Sequence, residues 1–214
     1  MRLSKVNLVW ATPNGENLVA YMARVSNPGN QNNPETAPKL LKYLIKNKHW
    51  SPFEMVHMCM EIETTRDIAR QILRHRSFSF QEFSQRYSDD FEFCSREYRL
   101  QDHSNRQNSV DALTKEEQEH LQGYSDRVIE SVDAAYESLI KTWGVAKECA
   151  RVILPEGLTM STLYVNGTLR SWLHYLEVRD DIGVTQKEHV MLAREIRKAL
   201  LPAFPTVLGM EGVL

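Results

Sequence analysis

Val6, Leu8 and Trp10 alternate with Asn7 and Val9, a period that predicts a first strand, and Pro13-Asn14-Gly15 then reads as a turn. Leu18, Tyr21, Met22 and Val25 follow helical spacing, and a polar loop with Pro28 and Gly29 separates them from a second amphipathic helix marked by Leu40, Leu41, Leu44 and Ile45. Ser51-Pro52-Phe53-Glu54 matches a capping box, but only one turn of helix fits before the pattern changes. Val56, Met58, Met60 and Ile62 alternate with His57, Cys59, Glu61 and Glu63, which predicts a half-buried strand. Thr65 is placed to cap a helix whose apolar face is Ile68, Ile72 and Leu73, with Arg70, Gln71 and Arg74 on its polar side.

Residues 77–108 are polar and aromatic without steady periodicity. A stretch of that length inside a compact domain is usually functional or disordered; Phe91, Phe93, Tyr98 and Leu100 favour an ordered arm over about 88–113. Thr114-Lys115-Glu116-Glu117 is a second capping box, opening a long helix that carries Leu121, Tyr124, Val128, Val132, Tyr136 and Leu139. Gly144 interrupts it, and helical character resumes from Val145 to Leu154, before Pro155. Leu158 to Val165 predicts a strand and Leu169 to Val178 a helix. Thr185-Gln186-Lys187-Glu188 opens a last main helix that ends near Pro202 and Pro205. Strands and helices do not alternate regularly, so a doubly wound parallel sheet is not expected. The fold class predicted is α+β: one helix-rich domain over residues 1–214, with a small, mainly antiparallel sheet packed against helices.

Composition narrows the chemistry. The chain has 214 residues and a formal net charge of -2, so no global basic field draws it to nucleic acid or an anionic membrane. An anion site must then come from a local set of Arg or Lys. No segment is apolar enough to span a bilayer, and Met1-Arg2-Leu3-Ser4-Lys5 leads into a short mixed stretch rather than the long apolar run of a signal peptide. The three cysteines, Cys59, Cys94 and Cys149, are far apart and form no Cys-x-x-Cys pair, which fits a reducing cytoplasm.

Between Gln71 and Tyr87 the sequence packs Arg74, Arg76 and Arg86 with His75, Glu82, several serines and three phenylalanines. Arginine supplies planar, multi-donor recognition of phosphate. Arg74-His75-Arg76, followed after seven residues by Ser84, resembles the signature of flavin-dependent thymidylate synthases, and Gln71-x-x-Arg74 and Ser84-x-Arg86-Tyr87 resemble its flanks. Three further blocks resemble the same family in order: His49-x-Ser51-Pro52-Phe53-Glu54, Ala150-Arg151 with Leu154-Pro155, and Thr168-x-Arg170 with His174 and Arg179. Gln81 departs from the Asn that many members carry, which keeps the amide but lengthens its reach.

That resemblance implies an enzyme that methylates dUMP to dTMP, with 5,10-methylenetetrahydrofolate giving the carbon and FAD, reduced by NADPH, carrying the hydride. It implies dUMP contacts from Gln71, Arg74, Glu82, Phe83, Ser84, Gln85, Arg86, Arg151 and Arg179. Arg179 would be the catalytic residue, stabilising negative charge on the pyrimidine, since a guanidinium stays cationic at any working pH. FAD contacts are implied for Ser51, Arg74, His75, Arg76, Glu82, Thr168, Arg170 and His174, and a place near the folate or exit path for His49. It implies a homotetramer with sites at subunit interfaces, and no protein nucleophile or metal.

Three other readings compete. A cysteine nucleophile has no support, because Cys59 lies between two Met, Cys94 between Phe and Ser, and Cys149 between Glu and Ala, so all three read as buried or inert. The segment 70–87, with Phe78, Phe80, Phe83 and Tyr87 among the arginines, is a candidate single-stranded nucleic-acid binder, against which the acidic net charge weighs. For a metal hydrolase, neither His-Glu-x-x-His nor a tight His/Asp cluster occurs, Glu188-His189 alone being a weak motif, and there is no glycine-rich phosphate cradle, so a flavin would be gripped by side chains.

Overall fold

The computed structural model describes residues 4–209, so the N-terminal reading of Met1 to Leu3 lies outside the described residues. Strand β1 (Lys5–Ala11) is followed by helix α1 (Gly15–Ala23), helix α2 (Ala37–Lys46), a single 3-10 turn (Ser51–Met55), and strand β2 (His57–Thr65). Helix α3 (Arg66–Ile72) leads to strand β3 (Ser79–Glu82), then a two-stranded ribbon of β4 (Leu100–Gln101) and β5 (Ser109–Val110). The long helix α4 (Lys115–Glu137) is followed by short α5 (Lys147–Ala150) and strand β6 (Met160–Thr168). Helices α6 (Leu169–Arg179), α7 (Lys187–Leu200) and α8 (Pro205–Leu208) complete the order. The main sheet runs β1-β2-β6-β3 with every pair antiparallel, the α+β class read from the sequence.

Alternation built the two central strands. Met58, Met60 and Ile62 point inward from β2 and meet Gly167, Val165 and Leu163 of β6 in register, while Glu61 and Tyr164 face outward and bond each other at 2.8 Å. The inward face joins Ile68, Ile72, Leu169, Trp172 and Leu176 in one contiguous core. In β1 the alternation breaks, because a bulge between Leu8 and Trp10 turns Trp10 toward solvent.

Several boundaries differ from the sequence reading, each for a local reason. Helix α1 ends at Ala23, which leaves Val25 exposed. The Ser51 motif makes no capping box: Trp50 precedes the turn, and the Glu54 carboxylate reaches β6 and α6 instead. Helix α3 stops at Ile72, so Arg74 does not share a helical face with Gln71, and Arg70 pairs with Glu156 at 2.8 Å. Gln186, not Thr185, precedes α7, and the Thr185 hydroxyl donates to the Val178 carbonyl. The aperiodic stretch contains β3, which pairs with β6 through Phe80 and Val165. The predicted strand from Leu158 begins at Met160 and runs on to Thr168. The Thr114–Glu117 capping box forms as expected. Its helix, however, buries only Ser125 and Tyr136 over 23 residues; Leu121 and Val132 of the apolar stripe are half-buried, and Tyr124 and Val128 face outward.

The segment after β3 is tied to the body by charge. Arg96 bonds Asp67 at 2.9 Å, Arg99 bonds Glu188 at 2.8 Å, and the Tyr98 hydroxyl meets Ser125 on α4.

Beneath the helices an aromatic set fills the space above β6. Phe78 lies 4.6 Å from Trp172 and 6.1 Å from Tyr175, centroid to centroid. Gly167 makes room for it, since a Cβ there would come within 2.3 Å of the Phe78 ring. Gly167→Ala is expected to lower stability by about 1–3 kcal/mol through overpacking, read as a lower urea midpoint.

Candidate active site

Strand β2 runs into α3 and its antiparallel neighbour β6 runs into α6, so the two helices start at opposite ends of the sheet. Both contribute residues to the same buried core. The turn after α3 therefore meets the C-terminal half of α6. There the Arg179 Nε donates to His75 Nε2 at 2.9 Å, and the His75 ring stands 5.0 Å from Tyr175. Behind them His189 of α7 is fully buried, with Nε2 2.9 Å from the Tyr175 hydroxyl and Nδ1 3.1 Å from Gln71 Oε1. Gln71 Nε2 donates onward to Gln186 Oε1 at 2.8 Å.

The electrostatics follow from burial among cations. Burial first, then the charges of Arg179, His174 and Arg74, push the His75 imidazole down to about 4. Burial, Arg179 and His75 push His189 down to about 3. Burial raises the Tyr175 phenol and lowers Arg179. Near neutrality the seam holds two neutral imidazoles, a neutral phenol and a guanidinium.

Beside it opens a cavity of about 430 Å³, lined by Lys48, Trp50, Glu54, Ser77, Thr168, Arg170 and His174 among others. That volume suits a drug-sized ligand or one half of a dinucleotide. Helix α2 ends in a Schellman motif, with His49 N bonding Leu44 O at 2.8 Å and Lys48 N bonding Ile45 O at 3.0 Å. Lys48 takes the left-handed position at φ 56°, where glycine is usual, and its residue joins the cavity wall. Thr168 caps α6 by accepting from Ser171 N at 3.1 Å, and its hydroxyl donates to Glu54 at 2.9 Å. The second Glu54 oxygen takes Arg170 at 2.5 Å. Burial raises the Glu54 carboxyl, but the Arg170 and Thr168 hydrogen bonds and the charges of Arg170 and His57 more than offset it, leaving it below its ordinary value.

A third set gathers beyond β3. Arg86 reaches the Glu148 carboxylate at 3.3 Å, and Arg151 Nε donates to the Glu148 carbonyl at 3.3 Å. Ser84 Oγ accepts from Arg86 N at 3.4 Å, a turn contact rather than a link to a general base. Glu82 accepts from Ser161 at 3.0 Å, and Phe83 N bonds the Thr162 carbonyl at 2.8 Å. Gln85 is buried, with Oε1 taken by Arg66 and Nε2 without a hydrogen-bond partner.

The structure thus brings Gln71, His75 and Arg179 together, and Thr168, Arg170 and His174 together. Ser84, Arg86 and Arg151 form their own set. Arg74, Arg76, Ser51 and His49 are exposed near these groups in the chain, His49 edge-on to Tyr43 at 5.9 Å. Sequence reasoning missed Tyr175, His189, Gln186, Lys48 and Glu54 as parts of the site. The pair Glu188-His189 was visible, but only as a weak metal motif. Of the cysteines read as buried or inert, Cys94 is buried, Cys59 half-buried and Cys149 exposed.

An α+β scaffold with a cationic seam beside a cavity that suits one half of a dinucleotide, and no glycine-rich cradle, defines a nucleotide-binding protein of non-Rossmann type. The chain matches the family described as Thymidylate synthase complementing protein over residues 7–206. It is 47% identical over 193 residues to a probable flavin-dependent thymidylate synthase of Paramecium bursaria Chlorella virus 1, covering 90% of this chain and 88% of that one. It is 51% identical over 192 residues to the flavin-dependent thymidylate synthase of Synechocystis, covering 90% and 87%. Its structure resembles that of a UMP/dUMP methylase, PolB from Streptomyces cacaoi, solved with 5-Br dUMP, at a TM-score of 0.81 and 25% identity over 97% of this chain and 94% of that one. The chain belongs to the flavin-dependent thymidylate synthase family.

The two low histidines set a pH dependence. Between pH 6.5 and about 4 the unfolded chain binds protons that folded His75 and His189 refuse. Their contribution to stability is complete above pH 6.5 and is lost as the pH falls through that window. The urea midpoint is expected to drop between about pH 7 and pH 5, and His75→Phe to shrink the drop.

Proposed function

We propose that this chain methylates dUMP to dTMP, with 5,10-methylenetetrahydrofolate as carbon donor and FAD as hydride carrier recharged by NADPH. The observation that carries the reading is the Arg179–His75 contact, 2.9 Å long, beside a cavity walled by Arg170 and His174. The donor set suits a flavin dinucleotide: Lys48, Arg170 and His174 offer cationic or donor groups to a pyrophosphate, and Ser77 and Thr168 offer hydroxyls. His75, Arg74, Arg76, Ser51 and Glu82 extend that grip beyond the cavity. Bound FAD supplies the reducing equivalent, which no side chain in this site can provide.

The chain's own residues bind, orient and polarise. Arg86, Arg151 and Ser84 take the substrate phosphate, with Gln85 and Phe83 shaping the turn. Gln71, Arg74, Glu82 and Arg179 hold the nucleoside. Arg179 is fixed through Nε by a neutral His75, so its two terminal NH2 groups stay free for an anionic pyrimidine. A prepositioned cation needs no reorganisation as charge develops, which removes the need for a protein nucleophile.

The phosphate set hangs on Glu148 and the pyrimidine set on His75, two different parts of the chain. Assembly of one site from two copies fits that division, as does the outward apolar surface at Tyr124, Val128 and Trp143. A homotetramer is the assembly proposed, with the whole chain as one catalytic domain and 88–113 as an arm. Among the described residues no helix is long and apolar enough to cross a membrane, and a cytoplasmic setting accords with three cysteines that stand far apart in the sequence without a Cys-x-x-Cys pair.

The purified protein is expected to be yellow, with a flavin spectrum that responds to added dUMP. Arg86→Ala and Arg179→Ala are each expected to weaken dUMP binding by roughly tenfold to a hundredfold, measured by calorimetry, as befits loss of a charge-assisted contact. A colourless protein that binds single-stranded DNA and ignores dUMP would refute the assignment. Light scattering should give a mass four times that of the chain.

A further inference from the structure

Tyr175, His189, Gln71 and Gln186 form a line of side chains joined end to end by hydrogen bonds of 2.9, 3.1 and 2.8 Å. Such a line has a direction. In one sense the phenol donates to His189 Nε2, His189 Nδ1–H donates to Gln71 Oε1, and Gln71 Nε2 donates to Gln186 Oε1. In the other sense every donor becomes an acceptor: His189 Nε2–H donates to the phenol oxygen, and the Gln71 amide is turned over.

The end of the line decides between them. Tyr175 is fully buried, and His189 Nε2 is the hydrogen-bond partner that the structure gives its hydroxyl. The second sense strands a buried phenol proton without a partner, which is costly. The first sense uses it. At the other end Gln186 is only partly buried, so its unused amide N–H groups reach water. His189 is held neutral by burial and by Arg179, so it carries one N–H, and the phenol assigns that proton to Nδ1.

We propose that the buried Tyr175–His189 pair locks the carboxamide of Gln71 in one of its two orientations, making His189 a positioning residue for nucleotide binding. The inference rests on the assignment of Gln71 to the dUMP pocket. A locked amide presents one remaining Oε1 lone pair and one remaining Nε2 proton in fixed directions, so no binding energy goes into selecting its orientation. None of these atoms takes part in bond making, so the effect falls on binding and not on turnover.

The flavin-loaded enzyme tests this with Gln71→Ala, Tyr175→Phe, His189→Leu and His189→Asn. Tyr175→Phe and His189→Leu are each expected to raise the KM for dUMP about tenfold and leave kcat within about threefold. His189→Asn, whose amide can turn either its N–H or its oxygen to Gln71 once Tyr175 no longer fixes it, is expected to raise the KM as Tyr175→Phe does. Selective 15N-histidine NMR of the unaltered enzyme should show His189 as the neutral Nδ1–H tautomer, and Tyr175→Phe should mix in the other. If Gln71→Ala raises KM but folded His189→Leu does not, the positioning role fails while the pocket assignment stands. If Gln71→Ala leaves KM unchanged, the pocket assignment fails and the inference goes with it. Should His189→Leu not fold, the NMR decides, and an Nε2–H or charged His189 in the unaltered enzyme overturns the proposal.

Discussion

The register between β2 and β6 is the constraint on which the site depends. Nine consecutive pairs, from His57 opposite Thr168 to Thr65 opposite Met160, align two strands that each run straight into a helix. Because the strands are antiparallel, α3 and α6 set out from opposite ends and converge over the same face. That convergence brings His75 and Arg179 together across 104 positions of sequence. A slip of one residue would reverse the inward and outward sets and put Met58, Met60 and Ile62 in solvent, so the hydrophobic pattern that holds the core also holds the site.

Charge is arranged locally rather than globally. The chain is slightly acidic overall, yet four arginines of the proposed site stand in three places, each steered by a different neighbour. Glu54 holds Arg170, Glu148 gathers Arg86 and Arg151, and the neutral His75 holds Arg179. The first two are exposed pairs that add little stability, and their worth lies in aim. The third differs in kind. A carboxylate beside Arg179 would cancel its field, whereas an imidazole kept unprotonated fixes Nε and leaves the positive charge uncompensated. The depressed proton affinity of His75 thus leaves the guanidinium charge uncompensated, as the role proposed for Arg179 requires.

The aromatic set of Phe78, Trp172 and Tyr175 links core to site. Its shape requires Gly167 on the strand beneath, and one of its members, Tyr175, carries the hydroxyl that ends the buried hydrogen-bonded line. Packing and polar order are therefore set by the same residue.

Periodicity was enough to find β1, β2, β6 and the helices between them, because alternation and helical spacing are properties of neighbouring residues. The family pattern was likewise legible, since Arg74-His75-Arg76, Ser84, Arg151 and Arg179 stand at characteristic spacings whatever their contacts. Strand β3 was not legible, because its four residues are ordered by pairing with β6 more than eighty positions away. Glu54 was misread as a cap for the same reason: its partners, Thr168 and Arg170, lie over a hundred residues on. The sequence by itself determined most of the elements and the family, and the family resemblance named the charged residues proposed for the site. Only the tertiary structure decided which helix faces which, that Lys48 lines one cavity with Thr168 and Arg170, and that His189 and Tyr175 stand behind Gln71. Those facts depend on distances between remote parts of the chain, and a local pattern carries no record of them.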